Sequence, residues 1–252
     1  MFLALLLLLT ACTDKKKAPD PDAALRDARA RLAVLAGATA NAAYDAQYRF
    51  TQLPSNTAGR IRIRQSPPQY RIDIIRKEGA SFFALRTGVV SCSSKGTKKT
   101  CYRVAGPGQP VPELFDPGVQ RLFRDAVEDL AANPNDYLVT PVDPSPTPTT
   151  SASATAPATP SATPSGSLPI PAAECFRVER TVSTPDPGDE SGFENGTYCF
   201  AEQGVATSIT VNSGTLTLVK LLGPPTANAF KPPAKVQKLP AVTPTPTPSK
   251  KK

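Results

Sequence analysis

Arg60-Ile61-Arg62-Ile63-Arg64-Gln65-Ser66-Pro67-Pro68-Gln69-Tyr70-Arg71-Ile72-Asp73-Ile74 decides the fold. Apolar and charged side chains alternate with period two on both sides of a proline-rich turn, the pattern of a half-buried hairpin. Keeping one apolar face in common sets Ile63 opposite Ile72 and Ile61 opposite Ile74, with Tyr70 on the same side. The other face then pairs Arg62 with Asp73 and sets Arg64 beside Arg71. Two adjacent guanidinium groups are tolerable there only if that face is wet.

The flanking sequence continues as a meander of antiparallel strands. Tyr44 to Gln52 alternates imperfectly. Ala80 to Arg86 places Phe83 and Leu85 on one side, which joins the apolar face. Gly88 to Cys92 and Thr100 to Val104 form a further hairpin with a Lys- and Ser-rich tip. Two helices are expected beside the strands. Asp20-Pro21 is a start signal for a helix over 21–42, with Leu25, Ala28, Leu32, Leu35 and Thr39 at helical spacing. Asp116-Pro117 repeats that signal. It precedes Val119, Leu122, Phe123, Ala126, Val127 and Leu130, a one-sided helix stopped by Asn133-Pro134. A short strand is expected at Tyr137 to Val139.

From 141 to 171 the composition turns to Pro, Ser, Thr and Ala, too poor in apolar side chains to repay its ordering entropy, so the tract is expected to be disordered. Strands resume at Glu174 to Val182, Thr197 to Glu202, Val205 to Val211 and Thr215 to Leu222. A Ser213-Gly214 turn would set Val211 opposite Leu216 and Ile209 opposite Leu218. The basic Thr-Pro tail, 241–252, is also expected to be disordered.

The chain has 252 residues, a net charge of +8, 29 prolines, five cysteines and no histidine. Without histidine the usual general base and imidazole ligand are missing. No Gly-x-Ser-x-Gly elbow or Gly-rich phosphate loop replaces them. The expectation is a non-catalytic protein with no cofactor and no metal. Apart from Cys12 there are four cysteines. Of the three connectivities, Cys92–Cys101 with Cys175–Cys199 is expected, since each pair clips two neighbouring strands. A four-cysteine metal site would normally contain a Cys-x-x-Cys pair, and none occurs.

Leu9-Thr10-Ala11-Cys12 follows the apolar run Phe2 to Leu9. This resembles the lipobox of bacterial lipoproteins. The run is about half the roughly twenty apolar residues a spanning helix needs. The resemblance implies a signal peptide at 1–11, a lipidated Cys12 as mature N-terminus, and a tether at 12–20. It places the protein on the outer face of the cell membrane, where nucleic acid is not an expected partner despite the lysine clusters at 15–17, 98–99 and 250–252.

Phe230, Pro233 and Val236 resemble the Phe-x-x-Pro-x-x-Val closing segment of LolA-type lipoprotein carriers. The order of elements is similar to the superfamily that also holds actinobacterial lipoproteins of the LppX and LprG type. That resemblance covers 21–140 and 172–240. It implies an α+β fold: a curved antiparallel sheet, an incomplete barrel, covered by helices on its concave face, with an apolar cavity for acyl chains between them. The expected ligand-binding residues are Ile61, Ile63, Ile72, Ile74, Phe83, Leu85, Leu122, Phe123, Val127, Val211, Leu216 and Leu218. The expected function is binding or carriage of a lipid, lipoglycan or lipidated molecule. The alternative is an envelope sensor or scaffold that uses the same fold to contact another envelope protein.

Overall fold

The hairpin forms in the register its pattern dictates: Ile61 faces Ile74, Arg62 faces Asp73, Ile63 faces Ile72 and Arg64 faces Arg71. We describe it in a computed structural model that covers residues 21–76, 78–115, 124–143, 167–181 and 193–239. The lipobox with Cys12, the tether, Leu122 and Phe123, most of the 141–171 tract and the tail lie outside the described residues.

Helix α1 (Pro21–Asn41) leads into β1 (Tyr44–Gln52), β2 (Thr57–Ser66), β3 (Gln69–Ile75), β4 (Ala80–Leu85), β5 (Gly88–Lys95) and β6 (Lys98–Ala105). Helix α2 (Ala126–Ala132) precedes β7 (Tyr137–Val142). After the insert come β8 (Ala173–Arg180), β9 (Gly196–Ala201), β10 (Val205–Val211), β11 (Gly214–Leu221) and a short β12 (Val236–Lys238). The strands form one open sheet in the order β12-β6-β5-β4-β3-β2-β1-β11-β10-β9-β8-β7. It is antiparallel throughout except where β12 runs parallel to β6. The fold is α+β, and its large sheet does not close.

One face of the sheet belongs to the main core. Ile61, Ile63, Ile72, Ile209, Leu216, Leu218, Tyr198 and Phe200 are buried in a single cluster with Ala28, Leu32, Leu35 and Ala36 of α1 and Ala126, Val127 and Leu130 of α2. Helix α1 packs against α2, β7, β9 and β10. Two polar contacts fix it there. Gln65, buried on the apolar face of β2, donates from Nε2 to the carbonyls of Thr39 (2.8 Å) and Ala40 (3.0 Å), which would otherwise be left open at the helix end. Arg31 makes a forked contact with Glu174 of β8, its Nε lying 3.1 and 3.0 Å from the two carboxylate oxygens.

The opposite face is not the wet surface expected from Arg64 beside Arg71. Those side chains are 13% and 19% exposed and are bridged by carboxylates. Asp45 accepts from Arg62 Nε (2.7 Å) and Arg64 Nε (3.2 Å). Asp73 accepts from Arg64, from Arg71 Nε (2.8 Å) and from the Ser81 hydroxyl (2.5 Å). Arg62 therefore binds Asp45 although its register partner is Asp73. The chain after β11 accounts for the exclusion of water. It leaves the sheet beside β1, where Asp45 N donates to Gly223 O (2.6 Å). Its 3-10 turn Ala227–Phe230 packs on β3 and takes a hydrogen bond from Arg71 at Ala229 O (2.8 Å). Ala234 and Val236 then pack on a second apolar cluster of Phe83, Val90, Cys92 and Cys101. The segment ends as β12, so the Phe-x-x-Pro-x-x-Val residues belong to a strap across the outer face.

Both expected disulfides are present. Cys92–Cys101 joins opposed residues of β5 and β6, and Cys175–Cys199 those of β8 and β9, with Cα separations of 4.1 and 4.0 Å. Two expectations need correction. Phe83 lies opposite Arg71, while Phe82 lies opposite Ile72, so Phe83 and Leu85 face the strap and Phe82 joins the main core. The β10–β11 register also differs by two residues. Val211 faces Gly214 and Ile209 faces Leu216, because the turn is Asn212-Ser213 and Gly214 already lies in the strand. A Cβ at 214 would stand 2.5 Å from the Thr51 carbonyl oxygen of β1, a close approach that only glycine permits. A shift of two keeps every side chain on its face.

Candidate functional site

The expected ligand face is largely buried. Ile61, Ile63, Ile72, Val127, Val211, Leu216 and Leu218 are each at most 5% exposed and share one cluster, and Ile74 packs partly buried against it. Phe83 and Leu85 are separated from these by the thickness of the sheet. Val127 is 1% exposed and sits among α1 and sheet residues. Enlarging it to Val127→Phe is expected to cost about 1–3 kcal/mol by overpacking, read as a lower urea midpoint with an unchanged slope. Full stability in that variant would mean that the helices leave room beside position 127.

Open space occurs at one end of this face. A cleft of about 200 Å³ is lined by Ile72, Ile74, Ala80 and Phe82 of β3 and β4, Ser81 and Ser91, Arg76, and Leu114 and Phe115 of the 3-10 turn Glu113–Phe115. It is smaller than the roughly 300–1,000 Å³ of sites that enclose a drug-sized molecule. Ile72 and Ile74 were legible as members of the apolar face. Phe82 was missed because two adjacent phenylalanines satisfy alternation in either phase, and only its pairing with Ile72 decides between them. Leu114 and Phe115 carry no periodic signal in a proline-rich loop.

The Tyr70 ring lies 6.0 Å from that of Phe82, and the Arg124 guanidinium stands 4.5 Å over the Tyr70 ring, an attraction between cation and ring face. Arg124 also pairs with Glu128 at 2.7 Å. Burial pushes the Tyr44 and Tyr48 hydroxyls, on the same face of β1, well above their ordinary pKa.

Among the described residues no group of three or more His, Cys, Asp or Glu side chains could hold a metal ion, and no helix is long and apolar enough to cross a membrane. Neither a known protein family nor a curated protein matches the chain.

Proposed function

We propose that this chain is a lipid-anchored protein of the cell envelope, held by Cys12 at the outer face of the membrane, that binds an acyl-bearing molecule without chemical turnover. The observation that carries the reading is the apolar cleft walled by Ile72, Ile74, Phe82 and Phe115. It lies on the apolar face set by alternation, where the family resemblance implies a ligand. An open antiparallel sheet with both helices contributing to the core of one face is compatible with the half-barrel carriers that the closing segment resembles. On that reading the cleft takes one end of an acyl chain.

Native mass spectrometry of the full chain from its own host, released from detergent in the gas phase, tests this. Added mass that extracts into chloroform and fragments as an acyl lipid, beyond the anchor on Cys12, is the expected result. Protein carrying only its anchor removes the carrier reading. The burial of Val127 is compatible with the second reading, an envelope scaffold with a filled core, and that outcome would select it.

A further inference from the structure

The sheet has two ends, and they differ. Register places the turns 53–56, 76–79 and 96–97 at the same end, since Gln52 faces Thr57, Ile74 faces Ala80 and Lys95 faces Lys98. The cleft is at that end too, with Arg76 and Leu114 in its wall. Three large apolar side chains stand out into solvent here: Leu114 is 87% exposed, Ile75 47% and Leu53 42%. Leu53 lies in the β1–β2 turn, Ile75 ends β3 and Leu114 lies in the 3-10 turn Glu113–Phe115, so no single turn accounts for them. The same end carries the exposed cations Arg76, Lys95 and Lys98, none of which makes an ion pair among the described residues. Two acidic residues occur in these connections by sequence: Glu78, whose carbonyl accepts from Arg76 Nε at 3.1 Å, and Glu113, which precedes Leu114.

Exposed apolar side chains together with exposed cations at one end of the sheet match the two layers of an anionic bilayer surface. The apolar tips enter the acyl boundary while each cation near the headgroups gains from the negative surface potential. We propose that this end of the sheet is a membrane-contact face for anionic lipid, with Leu114, Ile75 and Leu53 inserting and Arg76, Lys95 and Lys98 on the headgroups. The contact presents the cleft to the bilayer, yet it rests on the exposed side chains and stands whether or not the cleft carries a ligand.

The chain contains no tryptophan, so Leu114→Trp introduces a single reporter at the tip. Leu168→Trp serves as the control. Leu168 is 49% exposed and pairs with Leu221, which lies at the far end of β11 from Gly214. Both are made in the full chain and mixed with vesicles of brominated phosphatidylglycerol or brominated phosphatidylcholine. Emission of Leu114→Trp is expected to shift to the blue and be quenched by phosphatidylglycerol vesicles, with little change on phosphatidylcholine. Leu168→Trp should respond to neither. Adding Lys95→Gln and Lys98→Gln should weaken the Leu114→Trp response about fivefold for each lysine removed. All four positions are exposed, and circular dichroism verifies that the variants are folded.

Three results would overturn the inference: no response of Leu114→Trp to anionic vesicles, an equal response to both lipids, or equal quenching of Leu168→Trp. The first would leave the end of the sheet to a protein partner. None of them bears on bound lipid, which mass spectrometry reads separately.

Discussion

Above pH 10 the protein is expected to lose stability at about 5 kcal/mol per pH unit. Tyr44, Tyr48, Tyr137 and Tyr198 are each at most 2% exposed, and burial raises the pKa of all four. Tyr137 donates to the Asp129 carboxylate and Tyr198 to the Glu194 carbonyl at 2.6 Å, so removing either proton would also set two oxygens against each other. The sign follows from where each state ionises. The unfolded chain loses its phenolic protons near pH 10, while the folded chain holds them to higher pH. The stability these groups contribute is therefore fully present below about pH 10 and falls as pH rises towards the folded values. Each held proton contributes a slope of about 1.4 kcal/mol per pH unit. Against an ordinary stability of roughly 5–15 kcal/mol, four such protons unfold the domain within a few units. With no histidine in the chain, no imidazole tilts the curve near neutrality. Urea unfolding at a series of pH values measures the slope, and Tyr48→Phe should reduce it by about one quarter. A flat profile through pH 11 would show that these hydroxyls reach water in the folded protein.

The second large effect is expected at Asp73. Its carboxylate is 14% exposed and accepts from Arg64, Arg71 and Ser81 under the C-terminal strap. Asp73→Ala removes the anion and leaves two part-buried guanidinium groups facing each other. Breaking a pair of this kind costs about 3–5 kcal/mol, because the remaining charge is stranded. At roughly 2–4 °C per kcal/mol for a chain of this size, the melting temperature should fall by roughly 10 °C. Added salt should restore little of it, since part-buried charges are poorly screened. Glu202→Ala is the control, because that carboxylate is 83% exposed and only 4.0 Å from Arg31. A loss there should stay within about 0.5 kcal/mol. Equal effects at the two positions would mean that water reaches the Asp73 network.

These two sites show what the sequence could disclose. The hairpin of residues 60–74 was legible to the residue, because both strands alternate strictly and only one register keeps the isoleucines together. The disulfides were legible because each pair brackets a strand connection, and α1 because its apolar stripe is narrow. The burial of Arg64, Arg71 and Asp73 was not. It depends on a segment more than 150 residues away, whose three-residue strand β12 has no period of its own. Phe83 and Leu85 were placed on the wrong face for a related reason. Residues 82–85 are apolar at every position, so alternation there has no phase until β3 supplies one. The β10–β11 turn slipped by two because Gly214 reads as a turn residue, whereas its missing side chain serves contact with Thr51. Of the candidate site, Ile72 and Ile74 were visible as members of a face, but the cleft is a property of how that face ends against residues 114 and 115.

The strap also bears on how the molecule comes apart. The sheet has a seam: β1 to β6 form one run of sequence neighbours and β7 to β11 another, joined only where β1 meets β11. Every other antiparallel pairing is between strands adjacent in the chain, so each half can assemble from local contacts, while the seam must close over a separation of more than 160 residues. A seam of that kind would ordinarily let the halves melt apart. Here the chain leaving β11 crosses the outer face of the other half and ends on its farthest strand, β6, so the halves are fastened at the seam and again by the strap. Strain applied to either half is thereby transmitted to the other, which couples them into one cooperative unfolding unit.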